Sequence, residues 1–214
     1  MIAPRNNPAP LAPLRVHSGG SMVRGTATVE ALVARAAELG CRQLALTDVN
    51  SLCSAPAFWK AALREGIEPI LGAELHHRGR KLLALVTSDA GYTNLCRAVT
   101  ATARDDAPGL LADPARRKGL EVVLLDAPDP AGLAGRDLSG VHVAYDPVAM
   151  GRPAATRAAR TAERLGLPLV GTASALLGEP RDADLAGVLA AIRLGCTVTD
   201  EPADQLPPPG AHLR

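Results

Sequence analysis

Short apolar runs that stop abruptly in polar or ionisable residues constrain this chain more than any other feature. They are Leu14-Arg-Val-His-Ser18, Leu44-Ala-Leu-Thr-Asp-Val-Asn-Ser-Leu52 and Gly72-Ala-Glu74. A buried parallel strand reads as a short apolar run, and an α/β barrel carries its chemistry on side chains at the strand ends. Three such ends face one mouth.

The rest of the chain supplies the alternation that a barrel needs. Leu14 to His17 reads as a first strand. Val29 to Leu39 reads as a helix with Val29, Leu32, Val33, Ala36 and Leu39 on one face, Thr28 as its N-cap and Gly40 as its stop. Strands are predicted over Gln43–Thr47, Pro69–Leu71, Lys81–Val86, Leu120–Leu125, Val141–Tyr145 and Pro168–Gly171. Helices are predicted over Ala57–Arg64, Gly91–Ala103, Ala154–Leu165 and Asp182–Leu194, with a weak one around Leu110–Arg117. Strands alternating with helices at this spacing imply a parallel sheet or barrel. Pro128 to Gly140 reads as a Pro/Gly-rich surface loop. The expected organisation is a tail over 1–13, one domain over 14–199 and a Pro-rich linker or tail over 200–214.

Several phrases, in order, resemble the PHP (polymerase and histidinol phosphatase) domain of the bacterial DNA polymerase III α subunit family, closest to the error-prone DNA polymerase branch. They are Val23-Arg-Gly-Thr26, Glu30-Ala-Leu-Val-Ala-Arg-Ala-Ala-Glu-Leu-Gly40, Thr47-Asp-Val-Asn-Ser-Leu52 and Gly91-Tyr-Thr-Asn-Leu-Cys-Arg97, followed by Gly166-Leu-Pro-Leu-Val-Gly-Thr172 and the Arg181 to Arg193 stretch. The resemblance runs from about Leu14 to Arg214. It implies an α/β fold, a PHP-type distorted (β/α)7 TIM-like barrel in a single domain. It also implies a site where His, Asp and Glu side chains hold divalent metals that activate water against a phosphoester.

Against that pattern the ligand set is depleted. Where the family carries His-x-His, Arg15 fills the first place and only His17 remains. An acid or His of catalytic relatives is here Arg24, and the Thr-Asp-His turn has become Thr47-Asp48-Val49. Glu74 matches the family's Glu. Asp-x-His near the end has become Ser174-Ala175-Leu176. A guanidinium cannot ligate a cation and repels it. His17 and Glu74 are thus remnant metal positions, Asp48 a neighbouring carboxylate that supports them, and Arg15 and Arg24 anion-binding candidates; no catalytic residue is assigned. The plainer reading makes His17 a hydrogen-bonded strand-end histidine, Glu74 an ion-pair partner of Arg15 or Arg24, and Asp48 the cap of the turn after its strand. No cofactor is expected, or at most weakly bound zinc or manganese.

Other candidates carry less. His76 and His77, followed by Arg78-Gly-Arg80-Lys81, read as a solvated basic turn, and His142 opens a strand at the end away from the mouth. Phe58 and Trp59 read as the core face of a helix. Cys41, Cys53, Cys96 and Cys196 have no metal-type spacing and read as reduced, buried thiols of a cytoplasmic protein, Cys53 included. With 47% hydrophobic residues in 214 the chain can fill one α/β core; with 2% aromatics that core is Ala, Leu and Val. A net charge of +1 argues against strong nucleic-acid binding by the chain alone, and no apolar run is long enough to span a membrane.

The resulting expectation is a stand-alone or truncated PHP domain of an error-prone polymerase III α-like protein. It would be a non-catalytic scaffold in DNA replication or damage-tolerant synthesis and repair, partnered by a polymerase α-type core, another replication or repair subunit, or a second copy of itself. Two other readings stay open. One is a residual metal-dependent phosphoesterase or 3'-5' exonuclease; the other is a phosphate- or nucleotide-binding module using the arginine-lined mouth.

Overall fold

The first helix, α1 (Val29–Glu38), begins where Thr28 accepts a hydrogen bond from the Ala31 amide and buries Val29, Leu32, Val33 and Ala36. Eleven further α-helices and β-strands, and one 3-10 turn over Pro180–Asp182, follow in the computed structural model, which describes residues 12–104, 109–126, 132–133, 135–200, 206–207 and 211–213. They are β1 (Gln43–Leu46), α2 (Ala55–Arg64), β2 (Glu68–His77), β3 (Arg80–Val86), α3 (Asp89–Ala103), α4 (Pro114–Arg117), β4 (Leu120–Leu124), β5 (Val141–Tyr145), α5 (Arg152–Leu165), β6 (Leu169–Gly171) and α6 (Ala183–Leu194).

The strands form one curled six-stranded sheet in the order β1-β2-β3-β4-β5-β6. The segment from Pro13 to His17 pairs as a single bridge, Val16 with Ala175, rather than as a ladder strand. Its backbone nevertheless bonds on both sides. Pro13 and Val16 accept from the amides of Ala45 and Thr47, while the amides of Leu14 and His17 donate to Thr172 and Ala175. The two edges are joined through it, giving the distorted TIM-like barrel. Leu83, Val123, Leu125 and Ala144 fill the interior. Outside, α1 and α2 cover β1, α3 covers β2 and β3, and α5 covers β4 and β5.

The barrel stands, but the expectation that its strands run parallel needs correction for two pairs. β2 is antiparallel to β3, and β3 to β4, while the remaining pairs are parallel. No helix intervenes between β2 and β3. They are a hairpin whose two turn residues, Arg78 (φ 48°) and Gly79 (φ 76°), are both left-handed, the geometry that matches strand twist in a two-residue loop. β2 therefore extends to His77 instead of stopping at Leu71. His76 and His77 are strand residues paired with Lys81 and Arg80, not part of a solvated turn.

Three smaller expectations change. Phe58 is buried, but Trp59 lies on the exposed side of α2. All four cysteines are free thiols, of which only Cys41 is buried, and Cys53 is exposed. The predicted tail over 1–13 and the loop from Pro128 to Gly140 fall largely or partly outside the described residues. Within the stretch from Asp200 to Arg214, Ala211 and Leu213 are buried. Ala211 accepts from the amides of Leu176 and Leu177, and His212 bridges to Leu177, so this part is packed rather than a free linker. No helix among the described residues is long and apolar enough to cross a membrane.

Candidate functional site at the barrel mouth

Alternation along two neighbouring segments builds the site. In the first, Val16 turns outward into the α1/α2 core, so Arg15 and His17 turn into the barrel. In β2, Ala73 and Leu75 pack outward under α3, so Glu74 and His76 point inward. β2 reaches this far beyond β1 because the turn after β1 supports it. The Glu74 amide donates to Asp48 O, the Asn50 amide to Glu74 O, and the Asn50 side chain pairs both ways with the His76 backbone at 2.8 and 3.2 Å.

Glu74 is wholly buried and fully occupied. Arg15 grips it bidentately, Nε to Oε2 at 2.7 Å and Nη2 to Oε1 at 2.9 Å, and the Nε2 atoms of His17 and His76 sit 2.8 and 2.6 Å from Oε2 and Oε1. Burial works against its charge. The charges of His17 and Arg15 and the hydrogen bonds from both histidines outweigh burial and hold its carboxyl well below the usual carboxylate range. Burial likewise opposes the Arg15 charge, yet its contact with Glu74 raises its pKa above the ordinary arginine value.

This arrangement does not fit a metal. An ionised Glu74 only accepts, so each histidine must present Nε2–H to it and has no lone pair on that atom for a cation. Both carboxylate oxygens already face a guanidinium. Among the described residues no group of three or more His, Cys, Asp or Glu is placed to hold a metal ion. Val49 bridges to Glu74 through its backbone and donates its amide to the Ser21 hydroxyl, the Ser174 amide donates to Asp146, and Leu176 lines the cavity.

Asp48, buried, stands apart from Glu74. It accepts from the Ser18 amide, the Ser18 hydroxyl and the Ser21 hydroxyl, each at 2.7 Å. Rather than capping its own turn, it ties down the loop after the first segment, which carries Arg24 to the mouth. Arg24 lines a cavity of about 410 Å³ bounded by Arg15, Lys81, Arg157 and Arg193 as well. Burial, and then the neighbouring Arg193 charge, push the Arg24 pKa down. His142, as anticipated, is near the start of β5 and pairs with Glu121 at 2.7 Å.

Two residues of the mouth escaped sequence reading. His76 was concealed by ending its strand too early, although Ala73-Glu74-Leu75-His76 alternates with period two. Asp146, buried just past β5, accepts from the amides of Val148, Ala149 and Ser174 and from the Thr172 hydroxyl. Burial opposes its charge, and hydrogen bonds from Ser174, Ala149 and Thr172 prevail, lowering its pKa. Its signal was an apolar run ending in Asp, the same pattern that singled out Asp48.

Comparison with known proteins gives a consistent picture. The profile of the PHP domain family matches residues 13–122. The DNA polymerase III subunit alpha of Bacillus subtilis is 28% identical over 91% of this chain, and the error-prone DNA polymerase of Pseudomonas aeruginosa is 41% identical over 42% of it. The chain spans a small part of these relatives, 20% of the first and 9% of the second over the aligned stretches. Among solved structures, a Bifidobacterium adolescentis protein described as a metal-dependent phosphoesterase superposes with a TM-score of 0.50 at 13% identity, covering 77% of this chain and 88% of that one. At such identity the likeness concerns the fold.

Proposed function

This chain belongs to the PHP domain family, and on that premise we propose that it is a non-catalytic PHP module of an error-prone polymerase III α-like system, serving as a scaffold for a polymerase core in replication or damage-tolerant synthesis. One observation carries the reading: Arg15 occupies both oxygens of the buried Glu74, the carboxylate that matches a metal ligand of the family. A guanidinium in that place supplies positive charge permanently and, together with His17 and His76, takes up the acceptor sites that a metal would need. Among the described residues no group of three or more His, Cys, Asp or Glu is placed to hold the metal that such a water would need, which supports the non-catalytic reading.

The outer face of α6 supports the scaffold role. Leu185, Val188 and Ile192 recur at helical spacing and are exposed, Ile192 by 63%, while Ala186, Ala190 and Ala191 pack inward. Exposed apolar stripes of this kind mark partner surfaces, and the polymerase relatives carry long further chain for such a surface to meet.

The test has two arms. Elemental analysis after mild purification is expected to give substoichiometric divalent metal, with no change in melting temperature on adding a chelator. A content of about two tightly held metals per chain overturns the non-catalytic reading. In the second arm, a polymerase core lacking its own PHP domain is expected to retain this chain, and Ile192→Asp to weaken retention by about tenfold. Undiminished retention of the variant removes α6 as the contact, and no retention at all removes the polymerase scaffold.

A further inference from the structure

Arg24 makes no direct contact in the locked Glu74 site, although the charge of Glu74 acts on it from across the mouth. Its guanidinium is half-buried at the mouth, and among the described residues it makes no hydrogen bond or ion pair. A half-buried cation without a partner is costly to keep. The fold nevertheless invests in holding it there. Val23, β-branched and on the cavity wall, adopts a φ of 54°, a conformation that branched side chains rarely take. Gly25 lies against the loop backbone so closely that a Cβ would fall 1.8 Å from Ser18 O. Asp48 fastens the base of the same loop through Ser18 and Ser21.

Further cations border the same cavity from other elements: Lys81 from the start of β3, Arg157 from α5 and Arg193 from the last turn of α6. The carboxylates at the mouth are already engaged. Glu74 is held by Arg15 and the two histidines, Asp146 by backbone amides, and Asp126 accepts from the Lys81 amide at 2.9 Å. Leaving Arg193 aside, four cations of the lining (Arg15, Arg24, Lys81 and Arg157) face three carboxylates (Glu74, Asp126 and Asp146), a small excess of positive charge around a half-open space.

We propose that the mouth binds, without any metal, a small phosphorylated molecule whose phosphate is seated on Arg24, with Lys81 from β3 and Arg157 from α5 as its further cations. Cations reaching in from separate elements suit a tetrahedral anion that presents oxygens in several directions; a planar carboxylate is satisfied by one arginine fork, as Glu74 is by Arg15. A cavity of about 410 Å³ exceeds what a bare phosphate needs, and Met150, Leu176, Ala186 and Ala190 line the remainder. The ligand is therefore a phosphomonoester with a compact, partly apolar body of the size of a nucleoside. The sequence had nominated Arg15 with Arg24 for this task; the geometry withdraws Arg15, which is spent on Glu74, and substitutes Lys81 and Arg157.

The inference rests on the mouth being metal-free, so the test is done on the full chain in excess chelator. Calorimetric titration with inorganic phosphate, a deoxynucleoside monophosphate, a 5'-phosphorylated single strand and acetate separates the possible sources of the anion. The expected result is saturable binding of phosphate and tighter binding of the mononucleotide, with none by acetate at the same concentration. Arg24→Gln should weaken the mononucleotide by at least about tenfold, and Arg24→Lys by less, because the charge survives without the fork. If Arg24→Gln does not fold, the exposed Arg157→Gln and Lys81→Gln carry the same test, each expected to weaken binding several-fold. Absence of saturable binding up to about 10 mM phosphate or mononucleotide, or affinity unchanged in these variants, overturns the proposal. So does binding by the single strand alone. Binding that appears only when divalent metal is restored instead refutes the metal-free reading on which the inference stands.

Discussion

Glu74 remains charged without contact with solvent because donors surround it, and its neighbours show what each is worth. Removing Arg15 while keeping Glu74 strands a buried carboxylate, so Arg15→Met is expected to cost about 3–5 kcal/mol, more than the pair itself contributes. Glu74→Gln removes the charge but keeps a polar side chain and should cost about 1–3 kcal/mol. Urea denaturation of the two variants checks the order; a costlier Glu74→Gln would place the role of the carboxylate elsewhere. The pH dependence follows from the same contacts. The folded-state pKa of Glu74 is depressed, so its contribution to stability is fully present above the unfolded carboxylate value of ~4.3 and is lost as pH falls through the lower folded value. The melting temperature of the native chain should therefore fall more steeply below about pH 4 than that of Glu74→Gln. Parallel acid limbs in the two proteins would contradict this assignment.

At the scale of elements, what positions the mouth is how segments end and where backbones touch. The first turn of α3 runs against the chain at Gly119 so closely that a Cβ on Gly91 would lie 1.7 Å from Gly119 O. Gly91→Ala is expected to cost about 1–3 kcal/mol through the shift it forces, while Gly171→Ala in β6, where nothing lies within reach of a Cβ, should be far milder. Thermal melts of the pair decide whether close approach explains the difference. The Ala211 to Leu213 segment acts as a further clamp on the stretch after β6. Leu213, buried in the core under α1 and α2, is expected to cost about 2–4 kcal/mol on replacement by Ala, a loss visible in the urea midpoint. Shortening the chain before Ala211 should weaken the barrel as well as any partner binding, so the two effects must be measured separately.

Over the whole molecule, closing the sheet brings residues 15, 17, 24, 74, 76 and 146 to one mouth although they are far apart in the chain. Local signals in the sequence were sufficient for much of this. Periodicity and capping placed α1, α3, α5 and α6, the apolar runs placed most strands, and motif order identified the family. The same signals marked His17, Asp48 and Glu74, because a strand that ends in an ionisable residue is a local pattern. Strand direction was another matter. The reversal of β3 depends on a two-residue turn with arginine in a left-handed conformation, which carries weak turn chemistry, and on pairing between β3 and β4 across more than thirty residues. With the hairpin missed, β2 was cut short and His76 read as surface. Pairing of charges was equally illegible: Glu74 was expected to meet Arg15 or Arg24, and nothing in the one-dimensional order distinguishes them. The sequence by itself determined which residues are buried strand ends and which family's pattern they follow, since both are set by neighbours along the chain. Only the tertiary structure decided that Arg15 takes the carboxylate and Arg24 is left facing the cavity, because that choice depends on which loop the curled sheet carries over its own mouth.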